Sequence, residues 1–241
     1  GKSHLILSCN DTTKMATINE IMIYNETQVE LLGITLDNAL IFDSHVSNLC
    51  KKASSKINAL ARISRYMDFN KRKSLMNSFF LSQFSYCPLV WMFHSRNLNN
   101  RINKLHERSL RIVYQDSLSS FEDLLERDQS FTIHERNIQS LSIELYKVKM
   151  GISPKFMNEI FPLKESERYH SKQIFLTHNV RTVTWGTNTI SHIGPKIWVI
   201  IPDDIKASTS LQIFKRKIRQ WKPKECPCRL CKKYIYHVVS I

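Results

Sequence analysis

Three cysteines and a histidine fall within twelve residues near the C-terminal end: Cys226, Cys228, Cys231 and His237, in the spacing C-x-C-x2-C-x5-H. Thiolate sulfur and imidazole nitrogen are the soft donors of a tetrahedral structural zinc site, which takes four at a time. Cys228-x2-Cys231 has the usual knuckle spacing, whereas Cys226-x-Cys228, with Pro227 between its members, is tighter and less common. The stretch therefore has two readings, a zinc knuckle closed by four near-consecutive donors or reduced thiols on a basic tail. If an ion is held, Arg229, Lys232 and Lys233 are presented on a rigid knob.

Little else in the chain could do chemistry. Gly1-Lys2-Ser3 matches only the last letters of a phosphate-binding loop, without the preceding glycines whose backbone donors cradle phosphate. Asp203 and Asp204 are adjacent carboxylates of the kind two divalent ions require. They follow Pro202 and precede a helical pattern, however, where carboxylates complement the helix dipole, and capping is the preferred role. No serine or cysteine sits in a nucleophile elbow, and the nine histidines are scattered singly.

The cations are better organised. Arg101, Lys104, Arg108 and Arg111 step by three, four and three, so on a helix they form one stripe beside the apolar Leu98, Ile102, Leu105 and Ile112. At 1.5 Å rise per residue that rail is about 15 Å long, enough for several phosphates. Lys51, Lys52, Lys56, Arg62 and Arg65 add charge to a preceding helix, and Lys71, Arg72 and Lys73 to another. Lys and Arg outnumber Asp and Glu by 35 to 21, and residues 206–241, with Lys215, Arg216 and Arg219 among them, carry +9 of the net +14. Such a basic pole gains affinity for a polyanion by releasing condensed counterions, and nucleic acid is the expected partner. Six cysteines, three clustered and three (Cys9, Cys50, Cys87) far apart, do not form a secreted disulfide framework, so an intracellular, reducing location in nucleus or cytoplasm is expected. The most apolar stretch, 79–93, is shorter than a bilayer span and broken by Ser, Gln and Pro, so no membrane span is expected. An anionic membrane surface stands behind nucleic acid as a partner for the basic pole, and no membrane is the preferred reading.

The elements that must position these groups are legible in outline. HLILS, TINEIMIYN and QVELLGITLD read as three short strands. From Asp43 the period changes: Val46, Leu49, Cys50, Ala53, Ile57, Leu60 and Ala61 predict an amphipathic helix to about Met67 with Asp43 or Ser44 as N-cap. Asn70 can cap a second helix through Phe84 that Pro88 kinks or ends, and a third runs from about Leu98 to Tyr114. Ser120 starts a short helix, Thr132-Ile-His-Glu135 has capping-box spacing, and Gly151 suits the left-handed residue that ends the helix it opens. Residues 165–172 read as a linker, the Thr- and Val-rich stretch 175–194 as extended, and Thr209-Ser-Leu-Gln212 as a second capping box for a basic helix to about Trp221. The expected fold is α+β and mainly helical. Its regions are 1–42 (short antiparallel strands), 43–164 (a helical bundle), 165–221 (a small mixed region ending in the basic helix) and 222–241 (the basic Cys/His tail).

VELLGITLDNALIFDSHVSNLCKKASSKINAL (29–60) resembles the segment that follows the catalytic core in reverse transcriptases of non-LTR, LINE-type, Jockey-like retrotransposons. The resemblance continues, in the family's order, through LSQFSYCPLVW (81–91), KLHERSLRIVY (104–114) and SHIGPKIWVIIPDDIKASTSLQIFKRKIRQW (191–221). It implies that residues 1–42 end a polymerase palm with a primer-grip turn at Gly33, and that the helices from Asp43 form a thumb. Lys2 would be similar to the family's general acid for departing pyrophosphate. The metal-binding motif, an aromatic residue followed by Ala-Asp-Asp, occurs nowhere in these 241 residues and would lie upstream. The chain alone is then expected to bind an RNA template and DNA primer without polymerising, with Mg²⁺ needed only by the longer enzyme and no small-molecule substrate of its own. The tail resembles the family's terminal three-cysteine, one-histidine motif in composition, but its histidine comes last. Two other readings stand beside this one: a nucleic-acid-binding zinc-tail module acting apart from polymerisation, and a decayed transposon copy.

Overall fold

The computed structural model describes residues 3–7, 13–164, 174–182, 186–187, 189–223, 226–228 and 230–231. Lys2, Arg229, His237 and the 165–172 linker lie outside the described residues. The protein is α+β and mainly helical, with two separate two-stranded antiparallel sheets. The chain divides into two compact units, one of residues 1–87 and 94–124, the other of 88–93 and 125–241, a division that does not follow the boundaries at 42, 164 and 221.

The first unit opens with two hairpins rather than three strands. β1 (Met15–Ile18) pairs with β2 (Ile21–Tyr24), and β3 (Gln28–Leu31) with β4 (Ile34–Asp37). HLILS contributes an isolated bridge from Leu5 to Asn25. Each hairpin turns on two residues of positive φ, Asn19-Glu20 (47° and 65°) and Leu32-Gly33 (50° and 79°), as a type I′ turn requires. Gly33 supplies that conformation without strain, and Tyr86 Oη donates to Leu32 C=O (2.9 Å), which holds the turn.

α1 (Asp43–Ile63) follows, a turn N-terminal to its expected end, and is continued by a 3₁₀ turn at Ser64–Tyr66. Its N-cap is Phe42, in the left-handed region with no side-chain cap. The loop that leads into α1 is ordered by Asp37, whose carboxylate accepts from the N–H groups of Ala39, Ile41 and Phe42. α2 (Phe69–Phe79) is capped by Asp68 rather than Asn70, the carboxylate accepting from Lys71 N–H (2.9 Å). A 3₁₀ turn (Leu81–Phe84) separates it from α3 (Pro88–Trp91), which Pro88 starts instead of ending a longer helix. α4 (Arg96–Tyr114) packs against α1 and α2. The unit's core is Val46, Cys50, Ala53, Ile57 and Leu60 of α1 with Met76, Phe80, Ile102, Leu110 and Val113, all at most 1 % exposed.

α5 (Phe121–Asp128) begins at Ser120, whose Oγ accepts from Asp123 N–H while the Asp123 carboxylate accepts from Ser120 N–H. In the second unit, α6 (Ile133–Lys149) is the central helix, and α3, α8 and α10 all pack on it. Gly151 (φ 68°) ends α6 in a Schellman arrangement, with Gly151 N–H to Val148 C=O and Ile152 N–H to Lys147 C=O. α7 (Phe156–Ile160) leads to a bridge between Leu163 and Phe175. α8 (Ile190–Ile200) is helical where the chain reads as extended to residue 194, because Ile193, Ile197 and Trp198 fall on one face and are buried. α9 (Asp203–Lys206) and α10 (Leu211–Ile218) complete the unit, α10 capped by Ser210 rather than Thr209. Aromatic rings run through this core: Tyr146 stacks on Phe214 (centroids 4.1 Å), Phe214 on Trp198, and Phe175 meets Trp198 edge-on.

Candidate metal centre and basic helix face

The first turn of α6 is fixed before any metal is considered. Thr132 Oγ accepts from Glu135 N–H (3.2 Å) and the Glu135 carboxylate accepts from Thr132 N–H (2.8 Å), so the capping box is complete. His134 sits between those two residues and is buried at 6 % exposure. Five residues on, Gln139 donates to Trp221 C=O (2.9 Å) and Arg219 C=O (3.4 Å). That amide clamps the chain leaving α10 onto α6, and the cysteines follow within a few residues.

The clamp delivers Cys226, Cys228 and Cys231 to His134. Nε2 of His134 lies 3.1 Å from Cys228 Sγ and 3.9 Å from Cys226 Sγ, and the donor atoms of His134, Cys226, Cys228 and Cys231 all lie within 4.8 Å of one another. Zinc–sulfur bonds of about 2.3 Å and a zinc–nitrogen bond of about 2.0 Å at tetrahedral angles set donors roughly 3.5–3.8 Å apart. The four atoms need only small shifts to reach that. Cys226 and Cys228 belong to the hydrophobic core of the second unit, and Cys231 is exposed at its edge.

The electrostatics of the four groups favour a cation among them. Burial disfavours the His134 imidazolium, but the Cys228 and Cys231 sulfurs outweigh it and push the ring up to about 10. Hydrogen bonds from Cys226 and then Cys231, with help from His134, hold Cys228 far below the usual thiol range. Cys226, which donates to that thiolate, is driven far above it. A buried negative sulfur thus draws positive charge to the centre, and a divalent ion supplies it directly.

Three cysteines of the sequence reading are therefore brought together, and a fourth donor is His134, 92 residues before Cys226. His237 lies outside the described residues. Among the described residues no other group of His, Cys, Asp and Glu clusters in this way. Asp203 and Asp204 begin α9; Asp203 pairs with Lys206 (3.3 Å), and Lys217 reaches Asp204 (3.8 Å).

In the first unit the cations divide by role. Arg101, Lys104 and Arg108 are exposed along α4, and Lys51 and Lys52 are exposed on α1, against which α4 packs, with Lys56 half-buried. Arg101 donates to Ser47 Oγ of α1 (3.4 Å). Arg111 is committed to Glu107 (2.7 Å) and to Ser117 C=O, which shortens the free rail to about 10 Å. Arg72 is not surface charge: it is buried, and its guanidinium donates to Val113 C=O (2.9 Å) and Met67 C=O (2.6 Å), satisfying the end of α4. The buried stripe of α4 runs through Ile102, His106, Ser109, Leu110 and Val113, with His106 stacked on Phe80 (4.8 Å), so Leu98, Leu105 and Ile112 are only half-buried. In the second unit, Arg216 and Arg219 are exposed and Lys215 half-buried on α10, while Lys217 donates to Asp204 C=O (2.8 Å).

No family model, no curated protein and no solved structure matches this chain. Among the described residues no helix is long and apolar enough to cross a membrane.

Proposed function

We propose that the chain holds nucleic acid through its first unit and is braced by a structural Zn²⁺ in its second, as the C-terminal part of a non-LTR retrotransposon reverse transcriptase. The observation that carries the binding is the packed pair α1 and α4, which turns Lys51, Lys52, Arg101, Lys104 and Arg108 outward. Cations spaced along helices contact phosphates without reading bases, which suits a template–primer duplex recognised by its shape. The four segments that resemble the family, in the family's order, support the assignment to a palm end and thumb, with Gly33 in the primer-grip turn and Lys2 as the general acid of a longer enzyme. Mg²⁺ and the polymerase carboxylates would belong to that enzyme.

Zinc suits the second unit because three sulfurs and one imidazole nitrogen are its preferred structural donors. Four protein donors close the coordination shell, so the ion would hold the tail to α6 and leave no position for substrate.

The test is binding of the purified chain to a fluorescent RNA–DNA heteroduplex across a salt series. Affinity that falls steeply and log-linearly with salt is expected. No binding, or binding indifferent to salt, would overturn the reading.

A further inference from the structure

We infer that Cys228 and Cys231 are a peroxide-sensitive pair whose conversion to a disulfide dismantles the metal centre; this rests on the zinc reading above. The four donors are unequal. His134, Cys226 and Cys228 are buried, and Cys231 alone is exposed, so one sulfur of the set faces solvent. Oxidation of cysteine follows thiolate character and access, and a metal-bound sulfur keeps the former. Cys231 is therefore where an oxidant enters.

A resolving partner is already in place. The Cys231 N–H donates to Cys228 C=O (3.2 Å), closing a four-residue turn. Such a turn holds its end Cα atoms within about 7 Å, and a disulfide spans about 4.4–6.8 Å. Their sulfurs lie within 4.8 Å of each other. Cys226 is also near, but it shares the buried side with Cys228 and is separated from it by Pro227 alone, too short a connection to close the same turn.

The chemistry balances with hydrogen peroxide as oxidant. Cys231 sulfur attacks one peroxide oxygen, the O–O bond breaks, and hydroxide leaves, giving the sulfenic acid. Cys228 sulfur then attacks Cys231 sulfur and displaces a second hydroxide. Two thiolates lose two electrons, the peroxide gains them, and two protons from solvent turn the hydroxides into water. Only His134 and Cys226 remain as donors, and two donors do not retain the ion. The chain after α10 is then held to α6 by the Gln139 amide without the metal brace.

The full chain carrying Cys9→Ser and Cys87→Ser, loaded with zinc, is treated with hydrogen peroxide. A chromogenic chelator follows the released metal while tryptic peptides are mapped by mass. Trypsin cuts after Lys224, Arg229 and Lys232, so a disulfide from Cys231 to either Cys226 or Cys228 joins two peptides, and fragmentation between Cys226 and Cys228 tells these two apart, whereas a Cys226–Cys228 disulfide stays within one peptide. Stoichiometric zinc release in step with the joined pair, about 2 mass units below the sum of its reduced parts, is expected. Release without the joined pair, a joined pair whose fragments place the bond on Cys226, a disulfide confined to Cys226 and Cys228, or a centre that keeps its zinc in peroxide would overturn the inference. Protein that holds no zinc before treatment would overturn the metal reading instead, and peptide mapping of that metal-free chain would still decide the pairing.

Discussion

Thr35 donates its backbone N–H to Nδ1 of the buried His45 (3.3 Å), so protonating that nitrogen would set two donors against each other. Burial, and after it the charge of Lys52, lowers the imidazole below its usual 6.5, opposed by Glu30. The unfolded chain therefore binds a proton here more readily than the folded one. Stability from this residue is fully present above 6.5 and is lost as the pH falls below it toward the folded value. Denaturant midpoints measured from about pH 7.5 to 5 should drop more in the wild type than in His45→Gln; parallel curves would contradict the assignment. The metal centre is also decided residue by residue. Cys226, Cys228 and Cys231 were legible as donors because they are adjacent in sequence. His134 was not, because nothing local distinguishes a histidine in a capping box, and only the packing of α10 and its Gln139 clamp on α6 brings the tail to it.

Among the elements, α4 carries three exposed cations of the proposed binding surface, Arg101, Lys104 and Arg108. Replacing Arg101, Lys104 and Arg108 together with Ala should weaken binding to B-form DNA and lower the slope of log affinity against log salt by about 2–3, at roughly 0.9 per lost phosphate contact. Arg111→Ala should leave the slope alone and cost only about 0.5 kcal/mol of stability, because Arg111 serves Glu107 and Ser117 rather than solvent. Equal loss of slope in both variants would contradict that division. α8 offers a packing test. A Cβ on Gly194 would lie 2.6 Å from a ring carbon of Phe161, which is fully buried. Gly194→Ala should gain about 1 kcal/mol of helix propensity but lose about 1–3 kcal/mol to overpacking, a net destabilisation in thermal melts. A stabilised variant would show that Phe161 yields. Helical periods announced α1 and α4, and α6 was announced by its two ends, the Thr132–Glu135 capping box and Gly151. The hairpins were harder, because an Asn-Glu turn of positive φ hides inside TINEIMIYN and makes two strands look like one. α8 was masked by the Thr- and Val-rich stretch before it, where composition favours extended backbone.

At the scale of the whole molecule, the candidate metal site belongs to one unit. Of the tryptophans, Trp91, Trp198 and Trp221 are among the described residues and all belong to the second unit, so their fluorescence reports that unit. Removing zinc with a chelator should lower the melting temperature seen by tryptophan, because a ligand that binds only the folded state stabilises it by mass action. The helical circular dichroism should keep an unmoved component from the first unit. A chelator that shifts neither signal would contradict a structural role for the ion. The most direct test is the zinc content of three purified proteins. About one zinc per chain is expected in the wild type and in His237→Ala, and none in His134→Ala. Zinc retained by His134→Ala but lost from His237→Ala would return the site to a knuckle of consecutive donors and contradict the brace to α6.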